Sequence, residues 1–263
     1  MAEKKPVEVR REGAITRVVL SRPQARNALN LPMCHGLAEA FAGIDRDADI
    51  RAVLVEGEGP VFCAGADLKE RKGHDAAWIR QRRLASFAAY AAIERCTRPV
   101  IALVQGPTVG SGGEIAMSCD FIVAASDASF RFPEAHWGTV GATQRLQRVI
   151  GVSRAKELLF TAREMLAGEA YALGMVARLV EPSRLKEEGM ALALRIAEAP
   201  PLSMALTKQS IDLGSRTDLE SGIRVELAAI ERVLADNGWK SGIDRFLQSV
   251  GTNGSEAGEA RTV

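Results

Sequence analysis

Short apolar runs alternate with longer stretches of helical spacing through the first half of the chain. "AITRVVLS" (14–21), "IRAVLVEG" (50–57), "PVIALVQG" (99–106) and "DFIVAAS" (120–126) are compact, rich in Val and Ile, and end in Gly or a polar residue. Such runs predict strands buried on both faces. Between them, "LPMCHGLAEAFAGIDRD" (31–47) and "AAWIRQRRLASFAAYAAIERC" (76–96) repeat apolar residues at helical spacing. Strand-then-helix order, repeated, predicts a layered α/β fold with crossover connections. Beyond residue 142 only "VARLVE" (176–181) reads as a strand, and the remainder, from "RAKELLFTAREML" (154–166) onward, reads as successive amphipathic helices. The expected division is an α/β core over 1–200, a helical region over 201–250, and a small, polar, aperiodic tail over 251–263 that is predicted to be disordered.

Composition narrows the classes of function. Lys and Arg total 34 against 33 for Asp and Glu, so no overall field recruits nucleic acid or a membrane surface, and an anionic ligand must be held locally. Cys34, Cys63, Cys96 and Cys119 lie far apart with no C-x-x-C pair, which argues against zinc and against a disulfide framework. No apolar run approaches the roughly 20 residues needed to span a bilayer, and "MAEKKPVEVR" lacks the apolar stretch of a signal peptide. A soluble, cytoplasmic protein without a metal is expected.

Two small-residue turns carry the chemistry. In "VFCAGADLKE" (61–70), Cys63, Ala64, Gly65 and Ala66 form a turn nearly free of side chains, followed at once by Asp67 and Lys69. By itself this is a tight strand-to-helix connection with Asp67 as a cap. In "VQGPTVGSGGEIAMSCD" (104–120), a buried strand ends at Gly106, and Gly110, Ser111, Gly112 and Gly113 open a helix directly. Neither a G-x-x-x-x-G-K-[ST] loop nor a G-x-G-x-x-G fingerprint can be written there. What remains is a helix N-terminus stripped of side chains, whose free N–H groups favour an oxygen that becomes negative. Two such donors, one per turn, would form an oxyanion hole.

Two glutamates stand beside these turns. Glu114 alone would be an acidic residue complementing the helix dipole, and Glu134, after "SFRFP", a surface carboxylate. Taken together they flank an activated carbonyl, where they can move a proton at the α-carbon and activate water at the β-carbon. The basic stretch "IRQRR" (79–83), with Lys69, Arg71 and Lys72 before it, is either the solvated face of a helix or the neighbour of a phosphate-bearing ligand.

"LSRPQARNALN" (20–30), "FCAGADLKE" (62–70), "VQGPTVGSGGEIAMSCD" (104–120), "FRFPEAHWG" (130–138) and "TQRLQRVIG" (143–151) resemble, in order and spacing, the enoyl-CoA hydratase/isomerase family, the crotonases. The resemblance implies an α/β spiral of ββα units with a helical C-terminal region, assembled as a homotrimer or homohexamer. It also implies an acyl-CoA thioester substrate, no further cofactor, and a thioester oxygen held by the backbone N–H groups of Ala66 and Ser111. Arg26, Ala64, Gly65, Asp67, Leu68 and Gly110 would line the substrate site, with His136 and Trp137 at its acyl end. Retention of both Glu114 and Glu134 favours addition of water across a 2-enoyl-CoA. Alternatives are a double-bond isomerase or another reaction through the thioester enolate, and, outside enzymes, an idle scaffold or RNA-associated member. Two departures from the family pattern stand out. Between "PE" and "TQRL" the usual G-x-x-P-x-x-G-G run is replaced by the shorter "AHWGTVGA" (135–142), which is expected to open the pocket toward bulkier acyl groups. After "GIDRF" (242–246) the basic "EKR" segment is replaced by "LQSVGTNGSE", implying the loss of one subunit-bridging contact to CoA.

Overall fold

The computed structural model of the chain describes residues 5–236, 239, 240, 242–244 and 247. The expected tail 251–263 and nearly all of the replaced basic segment lie outside the described residues. In chain order the elements are β1 (Val7–Glu12), β2 (Ile15–Leu20), α1 (Leu31–Arg46), β3 (Ala52–Gly57), α2 (Ala76–Arg95), β4 (Val100–Val104), β5 (Thr108–Val109) and α3 (Ser111–Ser118). There follow β6 (Phe121–Ala125), β7 (Ser129–Arg131), α4 (Thr143–Ile150), α5 (Val152–Thr161), β8 (Glu164–Leu166), α6 (Ala167–Ala172), β9 (Arg178–Val180), α7 (Leu185–Ala197), α8 (Pro201–Gly214) and α9 (Leu219–Asp236). The chain divides into two units, Met1–Ala197 and Glu198–Val263.

In the first unit six strands form a sheet in the order β1-β2-β3-β4-β6-β9, parallel throughout except that β1 runs antiparallel to β2. The four apolar runs that predicted strands are β2, β3, β4 and β6, and β4 is buried at every position, as a parallel strand covered on both faces must be. Strand β1 escapes the pattern because four of its six residues are charged, three of them exposed on an edge strand. A second, three-stranded sheet, β5-β7-β8, is built from two- and three-residue strands too short to give a periodic signal.

The stretch 154–166 is not one helix. Helix α5 stops at Thr161 because Ala162 turns left-handed at φ 49°, and Glu164–Leu166 then pairs with β7, Met165 opposite Phe130. Helices α1 and α2 begin where caps are written in the sequence: Asn30 accepts from the Met33 N–H at 3.0 Å, and Asp75 accepts from the Trp78 N–H at 2.8 Å. The core includes Phe41, Phe62, Phe130, Phe132 and Tyr90, all essentially fully buried. All four cysteines are buried free thiols.

The second unit contains α8 and α9, an antiparallel pair whose chains approach closely at Gly214 and Gly222. An open groove of about 750 Å³ runs along them, lined by apolar residues that include Leu206, Ile223, Ile230 and Leu234.

Candidate active site

The first turn is held by the segment that precedes α1. Ala64 donates to the Arg26 carbonyl at 3.0 Å. Leu29 donates to the Gly65 carbonyl at 2.8 Å and accepts from the Asp67 N–H at 2.9 Å, an isolated parallel bridge centred on Ala66. In a parallel bridge the neighbours of the central residue make the bonds, so the N–H and C=O of Ala66 itself project to the other side. Gly65 sits at φ +93°, a conformation that a side chain would strain. The strand end is tied to the second turn through a Cys63–Thr108 bridge, in which Val109 donates to the Cys63 carbonyl at 2.9 Å.

The second turn opens α3. Gly110, at φ +49°, is its N-cap and donates to the Arg131 carbonyl at 2.8 Å, and no side chain caps the helix. Ser111, the first helical residue, therefore presents an N–H with no intrahelical acceptor at the positive end of the helix. Glu114, one turn on, is 3 % exposed, and Glu134, in a single 3₁₀ turn that begins after Pro133, is 7 % exposed. The two carboxylates meet the same turn. A methyl group on Gly110 would lie 2.5 Å from Glu134 Oε1, while Glu114 accepts the charge of Arg145, whose Nη1 is 3.5 Å from its Oε1. Arg145 is in turn held by Glu94 of α2, at 2.8 Å.

Among the described residues, Oε2 of Glu114 and Oε2 of Glu134 are buried without a protein hydrogen-bond partner. Burial pushes the Glu114 carboxyl above the ordinary range, opposed by Arg145, Arg83 and the backbone of Ala142. Burial likewise pushes Glu134 up, opposed by its own backbone N–H, and the charge of Glu114 pushes it further. Both carboxyls are raised by desolvation, and the charge of Glu114 bears on Glu134, which suits them to holding and passing a proton.

The other residues expected at the site have local partners or face solvent. Asp67 spends its carboxylate locally, accepting from the Lys69 N–H at 3.1 Å and from Arg22 Nη2 at 3.0 Å. Arg26 and Leu68 are exposed, and Arg26 takes part through its carbonyl, which holds Ala64. His136 turns to α5, its Nε2 2.7 Å from the Phe160 carbonyl, and Trp137 is 52 % exposed. The short loop does not leave the carboxylates open: a methyl group on Gly141 would lie 2.8 Å from Glu134 Cγ, and Val140 offers its carbonyl to Arg83 of α2. The expectation of a wider, aromatic-sided acyl end rested on His136, Trp137 and an opened loop, and this packing removes its footing.

Sequence reasoning passed over Tyr90 and Arg82. Tyr90 is fully buried in α2 with its ring 5.1 Å beneath the Arg145 guanidinium and its hydroxyl beside Ser111. Arg82 is 1 % exposed inside what reads as a solvated basic stretch. The available signal was the spacing Arg82, Ser86, Tyr90, which places all three on one face of the helix.

An α/β protein with two buried carboxylates at the N-terminus of a glycine-opened helix, faced by a second bare turn, belongs to the class that handles a polarised carbonyl. The family is settled by comparison: residues 10–252 match the enoyl-CoA hydratase/isomerase model, and the chain belongs to that family. It is 34% identical over 246 residues to the short-chain-enoyl-CoA hydratase of Clostridium acetobutylicum, covering 92% of this chain and 94% of that one. It is 34% identical to the crotonyl-CoA hydratase of Syntrophomonas wolfei over 90% of this chain and 93% of the relative. The crystal structure of an enoyl-CoA hydratase from Bacillus anthracis superposes with a TM-score of 0.90 at 33% identity, covering 93% of this chain and 96% of that one.

Proposed function

We propose that the protein is an enoyl-CoA hydratase acting on a short 2-enoyl-CoA. The observation that carries this is the pair of buried carboxylates, Glu114 and Glu134, each with one oxygen free of protein partners, at a helix start that offers an unpaired N–H. In this reading the thioester oxygen lies between the N–H groups of Ala66 and Ser111, which draw charge from the conjugated system toward the carbonyl and leave the β-carbon electrophilic. Glu114 and Glu134 hold a water between them. Its oxygen bonds to the β-carbon, one of its protons passes to a carboxylate, and a carboxyl proton is delivered to the α-carbon, so the carboxyl pair returns to its starting protonation. Removing one oxyanion donor of such a pair costs about 2.7–4 kcal/mol of transition-state stabilisation.

A short acyl group is favoured by the loop 138–142 packed on Glu134 and by relatives named as short-chain and crotonyl-CoA hydratases. Coenzyme A enters as part of the substrate, and no separate cofactor takes part. Self-association as a trimer or hexamer belongs to the same reading, because Leu219, Leu227, Ile230 and Leu234 of α9 are each about half exposed or more. The deciding experiment follows the enoyl-thioester absorbance with 2-enoyl and 3-enoyl-CoAs of increasing length. Loss of absorbance with crotonyl-CoA, at kcat/KM no lower than with longer chains, is expected; turnover of 3-enoyl-CoAs alone would instead make the protein an isomerase.

A further inference from the structure

We propose that Arg82 is a positioning residue that sets the first oxyanion donor, gripping the Ala66 turn from behind through the carbonyl of Leu29. Leu29 is the backbone link that brackets Ala66 itself, since its N–H donates to the Gly65 carbonyl and its C=O accepts from the Asp67 N–H, while Arg26 holds Ala64 at the start of the turn. The same Leu29 carbonyl accepts from Arg82 Nη2. The other two nitrogens of the guanidinium are bonded as well, Nη1 donating to Ser86 Oγ at 3.0 Å and Nε to Glu70 Oε2 at 3.2 Å. Glu70 reaches on with Oε1 to the Leu31 N–H, 2.7 Å away, and so ties the start of α1 into the same network.

This arrangement is hard to explain by stability alone. A buried ion pair is often replaceable by apolar side chains at no loss of stability, because its desolvation offsets its attraction. Arg82 is nonetheless among the largest fully buried side chains of the chain. What a planar fork supplies that an apolar residue cannot is fixed direction at three acceptors at once. Here those acceptors belong to the backbone flanking Ala66, to α2 and to the residue that anchors α1. A donor displaced by about 1 Å can cost on the order of 10²-fold in rate, so a grip on the turn bears on rate more than on folding.

The consequence for kcat rests on the hydratase reading above, whereas the grip itself does not. The test compares wild type, Arg82→Met and Arg82→Lys by amide hydrogen exchange over residues 62–70, by steady-state kinetics with crotonyl-CoA, and by the red shift of a bound aryl-conjugated enoyl-CoA, which reports polarisation of its carbonyl. In Arg82→Met, exchange at Asp67 is expected to rise at least about tenfold while β3 and β4 stay protected, kcat to fall by about 10–10²-fold with KM little changed, and the red shift to shrink. Arg82→Lys keeps the charge without the fork and should fall between. If Arg82→Met does not fold, Arg82→Lys decides by the same readouts. Unchanged protection at Asp67 together with a wild-type red shift in a folded variant would overturn the proposal. Wild-type protein inert toward every 2-enoyl-CoA would overturn the hydratase reading, with hydrogen exchange still deciding whether Arg82 holds the turn.

Discussion

Glu114 and Glu134 are costly residues to bury, and the folded protein keeps them with few protein partners. Both carboxyls are raised above the ordinary 4.5, chiefly by desolvation. For a carboxyl raised in the folded state, the favourable contribution is complete below the unfolded value and is lost as pH rises through the folded one. Ionised Glu134 therefore weakens the native state at neutral pH. Glu134→Gln is expected to melt at a higher temperature than wild type at pH 7–8, with the gap closing toward pH 4.5. The same substitution should cost hydration a factor on the order of 10²–10⁴, as should Glu114→Gln, with acyl-CoA binding retained. The acid limb of kcat/KM in wild type is expected to have its midpoint above 4.5; a midpoint at or below it would mean that desolvation does not govern the pair. The two glutamates could be picked out in the sequence because one follows a glycine-rich helix start and the other a proline-fixed strand end. Arg82 was not, since "IRQRR" reads as a solvated face unless its i, i+4 spacing to Ser86 and Tyr90 is weighed, and only the packing shows which of its cations is turned inward.

At the scale of elements, the site is the junction of β5 with α3, closed on one side by the turn after β3 and on the other by the loop before α4. Gly110 is the pivot of that junction: its φ of +49° disfavours any side chain, and a methyl group there would meet Glu134 Oε1 at 2.5 Å. Gly110→Ala is expected to destabilise the protein by about 1–3 kcal/mol from backbone strain and to lower kcat on the order of 10²-fold by moving Glu134 and the first turn of α3. Thermal melting and crotonyl-CoA kinetics check both, and a variant with unchanged kcat would show that the junction is not the catalytic frame. The long, periodic elements around this junction were legible. Strands β5, β7 and β8 were not, because two or three residues carry no period, and β8 is defined only by its pairing with β7.

At the scale of the whole molecule, the second unit exposes more apolar surface than a solitary helical pair keeps in water. Leu219 is 80 %, Leu227 53 % and Leu234 50 % exposed, and the groove along α8 and α9 is lined mainly by apolar residues. Contiguous patches of that kind mark association surfaces. Light scattering at micromolar concentration is expected to give the mass of a trimer or hexamer, and Ile230→Glu with Leu234→Glu to give smaller species; a monomeric wild type would refute this. By itself the sequence determined the runs that become β2, β3, β4, β6, α1 and α2, the two side-chain-poor turns and the carboxylates next to them. Those features are local: each follows from hydrophobic period, glycine content or capping over a few consecutive residues. Only the tertiary structure decided that Leu29 bridges Gly65 and Asp67, that Arg82 is buried behind them, that His136 turns away to Phe160, and that the short loop packs onto Glu134. Each of these joins residues far apart in the chain through desolvation and hydrogen-bond geometry, and no local pattern encodes which partner a buried polar group will find.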